Sequence, residues 1–113
     1  MECIFCKIIN GDIPSSKVYE NEHVAVIRDI NPVAPVHVLI IPKKHINNIL
    51  EAGEGDEGVI KEMHKAVQEA AALTGVDKNG FRVIINCGKH GGQTVDHLHY
   101  HLIGGSNLGA KLI

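Results

Sequence analysis

The segment His97-Leu98-His99-Tyr100-His101-Leu102-Ile103 alternates histidine with apolar residues, and it holds three of the chain's eight histidines. Alternation at period two marks a β-strand, because successive side chains point to opposite faces of a sheet. On such a strand the three imidazoles share one face, with neighbouring Cα atoms about 6.5–7 Å apart, and Leu98, Tyr100 and Leu102 share the other. The pattern demands a sheet with two unlike faces. The apolar face can bury against a helix, and the histidine face lines something polar.

The remaining residues supply such a sheet and such a helix. Ile4-Phe5-x-x-Ile8-Ile9 has helical spacing and stops at Asn10-Gly11, which predicts a short N-terminal helix. Ile13-Pro14-Ser15-Ser16 reads as a turn. Lys17 to Glu20 and His23 to Asp29, separated by Asn21-Glu22, read as a hairpin. Pro32 and Pro35 punctuate a loop, and His37 to Ile41 is a buried strand ended by Pro42. His45 to Leu50 fits a helical turn. From about Asp56 to Thr74 the residues Ile60, Met63, Val67, Ala70 and Ala71 recur at steps of three and four, opposite Lys61, Glu62, Lys65 and Glu69. Asp56 fits the N-cap of that helix and Gly75 its stop. Phe81 to Asn86 is a strand, Cys87 to Thr94 a glycine-rich loop, and Val95 to Ile103 the last long strand. Strands in runs with one main helix indicate an α+β fold: an antiparallel sheet of about five strands, the main helix and the short N-terminal helix. No repeat, linker or boundary interrupts the 113 residues, so 1–113 reads as a single domain.

Charge and hydropathy exclude several classes of function. Eleven Lys and Arg against thirteen Asp and Glu leave a formal charge of −2, and no basic run exceeds Lys43-Lys44. A nucleic-acid backbone binder needs clustered cations to displace phosphate counterions, so no nucleic-acid partner is expected. No aliphatic run exceeds the four residues of Val38 to Ile41, far too few to span a bilayer. Met1-Glu2-Cys3 lacks the basic start and apolar stretch of a secretory signal, so a cytoplasmic location without membrane attachment is expected. Gly53-Glu54-Gly55-Asp56-Glu57-Gly58 matches G-x-G-x-x-G, yet no strand precedes it and three carboxylates would face the pyrophosphate. A loop and an N-cap explain it.

Three readings of the histidine strand are open on the residues alone. It is a half-exposed strand that happens to carry histidine, a three-histidine metal site, or an imidazole nucleophile with a neighbouring donor. A neutral imidazole has a lone pair for attack, and free histidine is mostly neutral at pH 7. The flanking Gly88-Lys89-His90-Gly91-Gly92-Gln93-Thr94 offers backbone N–H groups, a hydroxyl and an amide, the equipment of a phosphate cradle. The Gly-Lys-Ser/Thr ending of a P-loop is missing.

Gly92-Gln93-Thr94-x-x-His97-x-His99-x-His101 followed by Leu102-Ile103 resembles the signature of the histidine triad family. The resemblance extends to Cys3-Ile-Phe-Cys-Lys-Ile-Ile9, Asp29-Ile-Asn-Pro32 and His37-Val-Leu-Ile-Ile-Pro-Lys-Lys-His45, and Gly104-Gly105 is similar to the nucleotide-binding, phosphoramidase branch. It implies a histidine-triad-like fold and four catalytic histidines. His99 would be the nucleophile on the α-phosphorus of a nucleoside monophosphate ester or amide, forming a nucleotidyl-histidine that water releases. His101 would hydrogen-bond phosphoryl oxygens or the leaving group. The carbonyl of His97 would hold the His99 tautomer, and His37 would lie behind the site. Asn86, Gly92, Gln93 and Thr94 match positions around the phosphate, Asp29 the carboxylate for the ribose, and Ile4, Phe5, Ile8, Ile27 and Ile30 the base pocket. Read without the resemblance, Asp29 is a strand-ending turn residue and Ile4, Phe5 and Ile8 are core helix. Ile27 is aliphatic where relatives often carry an aromatic, Asp96 is a carboxylate before the triad, and Lys111-Leu112-Ile113 lacks a tryptophan.

Cys3-x-x-Cys6 has zinc-knuckle spacing but supplies only two of four ligands. Members of the wider triad superfamily imply Cys3, Cys6, His45 and His97 as the set, a structural zinc that the chemistry itself does not require. Buried free thiols are the other reading. Cys87 reads as a buried strand-end thiol. The resemblance thus implies a purine nucleoside phosphoramidate or nucleotide-conjugate hydrolase binding AMP-type nucleotides as a homodimer joined through the main helix and a sheet edge. A dinucleoside polyphosphate hydrolase, a nucleotidyl transferase, a non-catalytic nucleotide-binding adaptor and a zinc-binding interaction module are the alternatives.

Overall fold

The computed structural model describes residues 3–111; Met1-Glu2 and Leu112-Ile113, on which the readings of the leader and the tail partly rest, lie outside the described residues. Helix α1 (Ile4–Ile9) leads into strands β1 (Lys17–Glu20), β2 (Val24–Arg28) and β3 (Val36–Pro42), then helix α2 (Glu57–Thr74) and strands β4 (Phe81–Ile84) and β5 (Tyr100–Gly104). The strands form one sheet in the order β1-β2-β3-β5-β4, and every pairing is antiparallel. The α+β class, the five strands and the two helices agree with the expectation from the sequence.

The sheet has the two unlike faces that the alternation requires. Val24, Val26, Val38, Ile40, Leu98 and Leu102 pack against Met63, Ala66, Ala70 and Ala71 of α2. The alanines let the helix lie close to the strands, and burial of Met63 or Leu102 contributes about 1.5–3 kcal/mol each. On the opposite face Phe5 and Ile8 of α1 cover Ile27, Leu39 and Ile41. Asn21 closes the β1–β2 hairpin by accepting from the backbone N–H groups of His23 (2.7 Å) and Val24 (2.9 Å), the local hydrogen bonding that suits asparagine to turns. Helix α2 stops at Gly75, whose φ of 82° only glycine adopts without cost. Among the described residues no helix is long and apolar enough to cross a membrane.

Four expectations need correction. The last strand begins at Tyr100, not Val95. Its register sets Tyr100 against Ile40, so Leu98 would fall opposite Pro42, the last residue of β3, which has no N–H to give. Leu98 instead donates its N–H to the carbonyl of Ile46 at 2.6 Å, and the alternation of faces survives although the ladder does not. Strand β4 ends at Ile84, which leaves Asn86 and the half-buried Cys87 in the following loop. The helical turn expected over 45–50 is a single 3-10 turn, Ile49–Glu51, capped by Asn48. Asp56 makes no side-chain cap on α2, because its carboxylate accepts from the Gly53 N–H (3.0 Å) and pairs with Lys44. That closes the glycine-rich turn as a structural loop.

Candidate active site

One row of residues crosses the sheet on the face away from α2. Ile27 pairs with Leu39, Leu39 with His101, and His101 with Ile84. His37 lies two residues from Leu39 on the same face, and the Asp29 N–H donates to the His37 carbonyl at 3.0 Å. The structure therefore gathers His37, His99, His101, Asp29 and Phe5 on one surface.

The ring nitrogens of His99 are differentiated by their partners. Nδ1 lies 2.7 Å from the carbonyl oxygen of His97 and so carries the proton, leaving Nε2 with its lone pair. Phe5 meets this ring edge-on at 5.0 Å, and the His101 ring centroid also stands 5.0 Å away. His101 Nδ1 lies 3.0 Å from His37 Nε2. Burial, and then the neighbouring His99 and His37 rings, holds His101 below the ordinary imidazole value, with Asp29 acting the opposite way. At neutral pH this ring is uncharged and offers a directed N–H.

The first triad histidine is different. His97 is fully buried, and its burial, followed by the His45 and His99 rings, lowers its pKa despite the Pro42 carbonyl. Nε2–H donates to that carbonyl at 2.8 Å, so the Nδ1 lone pair faces Cys3 Sγ at 3.4 Å and Cys6 Sγ at 3.6 Å. His45 repeats the arrangement, with Nε2–H donating to Asn47 Oδ1 at 2.8 Å and Nδ1 lying 3.2 Å from Cys6 Sγ. The four donor atoms lie within 4.8 Å of one another. Two thiols and two lone pairs, each imidazole oriented by an oxygen behind it, form a donor set that fits zinc. Burial and the adjacent Cys3 thiol raise the pKa of Cys6, so without a cation its thiol stays protonated.

The glycine-rich loop departs from the expected cradle. The N–H groups of Gly92 and Gln93 are spent on Lys89 and Gly88 carbonyls at 3.1 Å. The Gln93 side chain is not a free ligand: Oε1 accepts from the Gly88 N–H (3.0 Å), and Nε2 donates to the carbonyls of Asn47 (2.7 Å) and Val95 (3.0 Å). Gln93 braces the loop. Gly91 has no room for a side chain, since a Cβ there would lie 2.5 Å from the Cys87 carbonyl oxygen. Gly92 and Thr94 are exposed, and Asn86 is half-buried in a cleft of about 170 Å³ with Val33, His37, Ile84, His101 and Ile103. The larger cavity, about 690 Å³, lies between the end of α2, the start of β4 and residues 105–109, and none of these histidines lines it.

The expected base pocket divides. Phe5, Ile8 and Ile27 pack together with Leu39 and Ile41, whereas Ile4 is 49% exposed and Ile30 90% exposed outside that cluster. Asp29 does serve as a turn residue, accepting from the Asn31 N–H at 2.8 Å, and its second oxygen lies 3.4 Å from His37 Nε2. Asp96 is exposed. Reasoning from the sequence missed Asn47, the Pro42 carbonyl and the Val33 amide. Asn47 carries a weak signal two residues after His45; the two backbone groups carry none.

The chain is similar to known proteins over nearly its whole length. A family model described as "Scavenger mRNA decapping enzyme C-term binding" matches residues 2–111. A solved structure of a HIT family hydrolase from Clostridium thermocellum superposes with a TM-score of 0.96 at 51% identity, covering 99% of this chain and 97% of that one. A histidine triad protein from Clostridium difficile superposes at 0.93 with 47% identity, covering 98% and 96%. The purine nucleoside phosphoramidase of Escherichia coli K12 is 41% identical over 111 residues, 98% of this chain and 93% of its own length.

Proposed function

Because the chain belongs to the histidine triad family, we infer that it is a nucleotide hydrolase that cleaves purine nucleoside phosphoramidates or related nucleotide conjugates. The observation that carries this reading is the hydrogen bond from His99 Nδ1 to the His97 carbonyl, which leaves His99 Nε2 free on the surface shared with His101 and Asp29. Nε2 attacks the α-phosphorus, the P–N bond to the leaving amine breaks, and His101 hydrogen-bonds the departing group or the phosphoryl oxygens. Water then attacks phosphorus and breaks the bond to His99. Over the cycle the hydroxyl of water joins phosphorus and its other hydrogen joins the amine. The His37 and His101 cleft has the size of a phosphate or small leaving group, well below the ~300 Å³ of a whole ligand pocket. The nucleoside lies outside it, with the ribose hydroxyls on Asp29 and the base across Phe5, Ile8 and Ile27, flanked by Ile4 and Ile30. Thr94 and Asn86 border the phosphate.

The chemistry uses no metal. Cys3, Cys6, His45 and His97 would hold a zinc ion as a closed structural clasp tying α1 to the histidine segment. A second copy of the chain is the partner that suits β4, an edge strand with Phe81 and Val83 exposed. A sedimentation mass of two subunits is expected, and Val83→Lys should halve it.

The decisive experiment is turnover of adenosine 5′-phosphoramidate by wild type and by His99→Ala. Loss of the nucleophile should cost several orders of magnitude in kcat while AMP binding survives. Equal turnover would overturn the reading, and AMP binding without turnover by wild type would favour an adaptor. Faster cleavage of a diadenosine polyphosphate would move the substrate class.

A further inference from the structure

The loop between β2 and β3 places a backbone donor behind the His37–His101 pair. The N–H of Val33 lies 3.1 Å from His37 Nδ1. An amide nitrogen can only donate, so His37 Nδ1 must be the bare, accepting nitrogen. A neutral His37 then carries its proton on Nε2, and a charged His37 would turn an N–H toward the Val33 N–H. The next contact follows from the first. His37 Nε2–H faces His101 Nδ1 at 3.0 Å, so His101 Nδ1 accepts and the only proton of that neutral ring sits on Nε2. The nearby Asp29 oxygen, 3.4 Å from the same His37 nitrogen, can share this proton without reversing the chain, because His37 Nε2 is protonated in either case. Asp29, His37 and His101 also lie close enough to ligate a cation, but a neutral His37 has no lone pair left on Nε2.

We propose that the main-chain N–H of Val33 is a positioning group: it locks His37 as the Nε2–H tautomer and so sets His101 to present an N–H to the substrate. Nothing about the Val33 side chain is required, which is consistent with its 74% exposure. The chain runs from a loop amide through two imidazoles to the reaction site, and its last member is a donor because its first member cannot accept. The catalytic consequence rests on the hydrolase reading above, whereas the tautomer assignment does not.

The test uses full-length protein with ¹⁵N-labelled imidazoles, read by long-range ¹H–¹⁵N correlation, which distinguishes protonated from bare ring nitrogens without any substrate. Wild type and Val33→Ala, which keeps the amide, should both show His37 and His101 with protonated Nε2 and bare Nδ1. Val33→Pro removes the N–H. A main-chain ester at position 33 removes it with the side chain unchanged and covers the case in which proline disturbs the loop. In both, the His101 nitrogens should lose their separate positions and move toward an average. In the ester variant kcat for the phosphoramidate should fall about tenfold, the weight of one modest hydrogen bond, and the same change in a His37→Gln background should have little further effect. An ester variant that keeps the His101 pattern would overturn the proposal, as would equal losses in the two backgrounds. If wild type lacks turnover altogether, the hydrolase reading fails while the ¹⁵N pattern still decides this one.

Discussion

His97 holds its neighbour but one with its backbone and the N-terminal helix with its ring. Its carbonyl accepts from His99 Nδ1 at 2.7 Å, while its own Nδ1 lies 3.4 Å from Cys3 Sγ. The first and second histidines of the row thus do unlike work. One is fully buried beside two thiols, and the other keeps a lone pair on Nε2 with the Phe5 ring edge-on at 5.0 Å.

This division of labour makes His97→Gln informative. The carbonyl stays, so the His99 tautomer should stay, and kcat should remain within about tenfold of wild type, or about 1.4 kcal/mol of barrier. The Nδ1 lone pair is lost, so zinc measured by mass spectrometry in protein purified without chelator should fall to background, as it should in Cys3→Ser. Full zinc content in His97→Gln would contradict the four-ligand set.

Gln93 should behave as a brace rather than a ligand. Gln93→Ala removes three hydrogen bonds and should lower unfolding stability by about 1–3 kcal/mol in a denaturant titration. A phosphate ligand with no structural role would leave that stability unchanged and alter only nucleotide affinity.

Acid should destabilise the protein through His101. Its folded value lies below the free imidazole value of 6.5, so the unfolded chain binds more protons as the pH falls through 6.5 toward the folded value. The stability is therefore complete above about 6.5 and is lost below it. The melting temperature should decline between pH 7 and 5, and the decline should be shallower in His101→Gln. An unchanged slope in that variant would remove His101 as a cause.

Met63 tests the other face of the sheet. It is fully buried between α2 and the strands, so Met63→Ala should cost about 2–5 kcal/mol of stability. The residual kcat of the folded fraction should be close to wild type, because α2 packs on the face of the sheet away from the histidine surface. A stability loss under 1 kcal/mol would mean that the helix relaxes into the cavity.

Local pattern determined a great deal of this protein. Period-two alternation over 97–103 specifies two faces whatever the partner, and the steps of three and four through Met63 and Ala70 specify a helix to cover one of them. The triad, its assignment to one surface and the cysteine pair were all legible in the order of residues. Tertiary structure decided where that order stopped being a strand, because Pro42 ends the partner strand and Leu98 turns to Ile46 instead. It also decided which nitrogen of each imidazole carries a proton. A side chain's identity states which atoms can donate or accept, but its tautomer depends on the group opposite, and here those groups are main-chain atoms of His97, Pro42 and Val33. Every residue except proline carries that same carbonyl and N–H, so no sequence pattern distinguishes the ones that matter until the fold brings them within 3 Å or so of a ring.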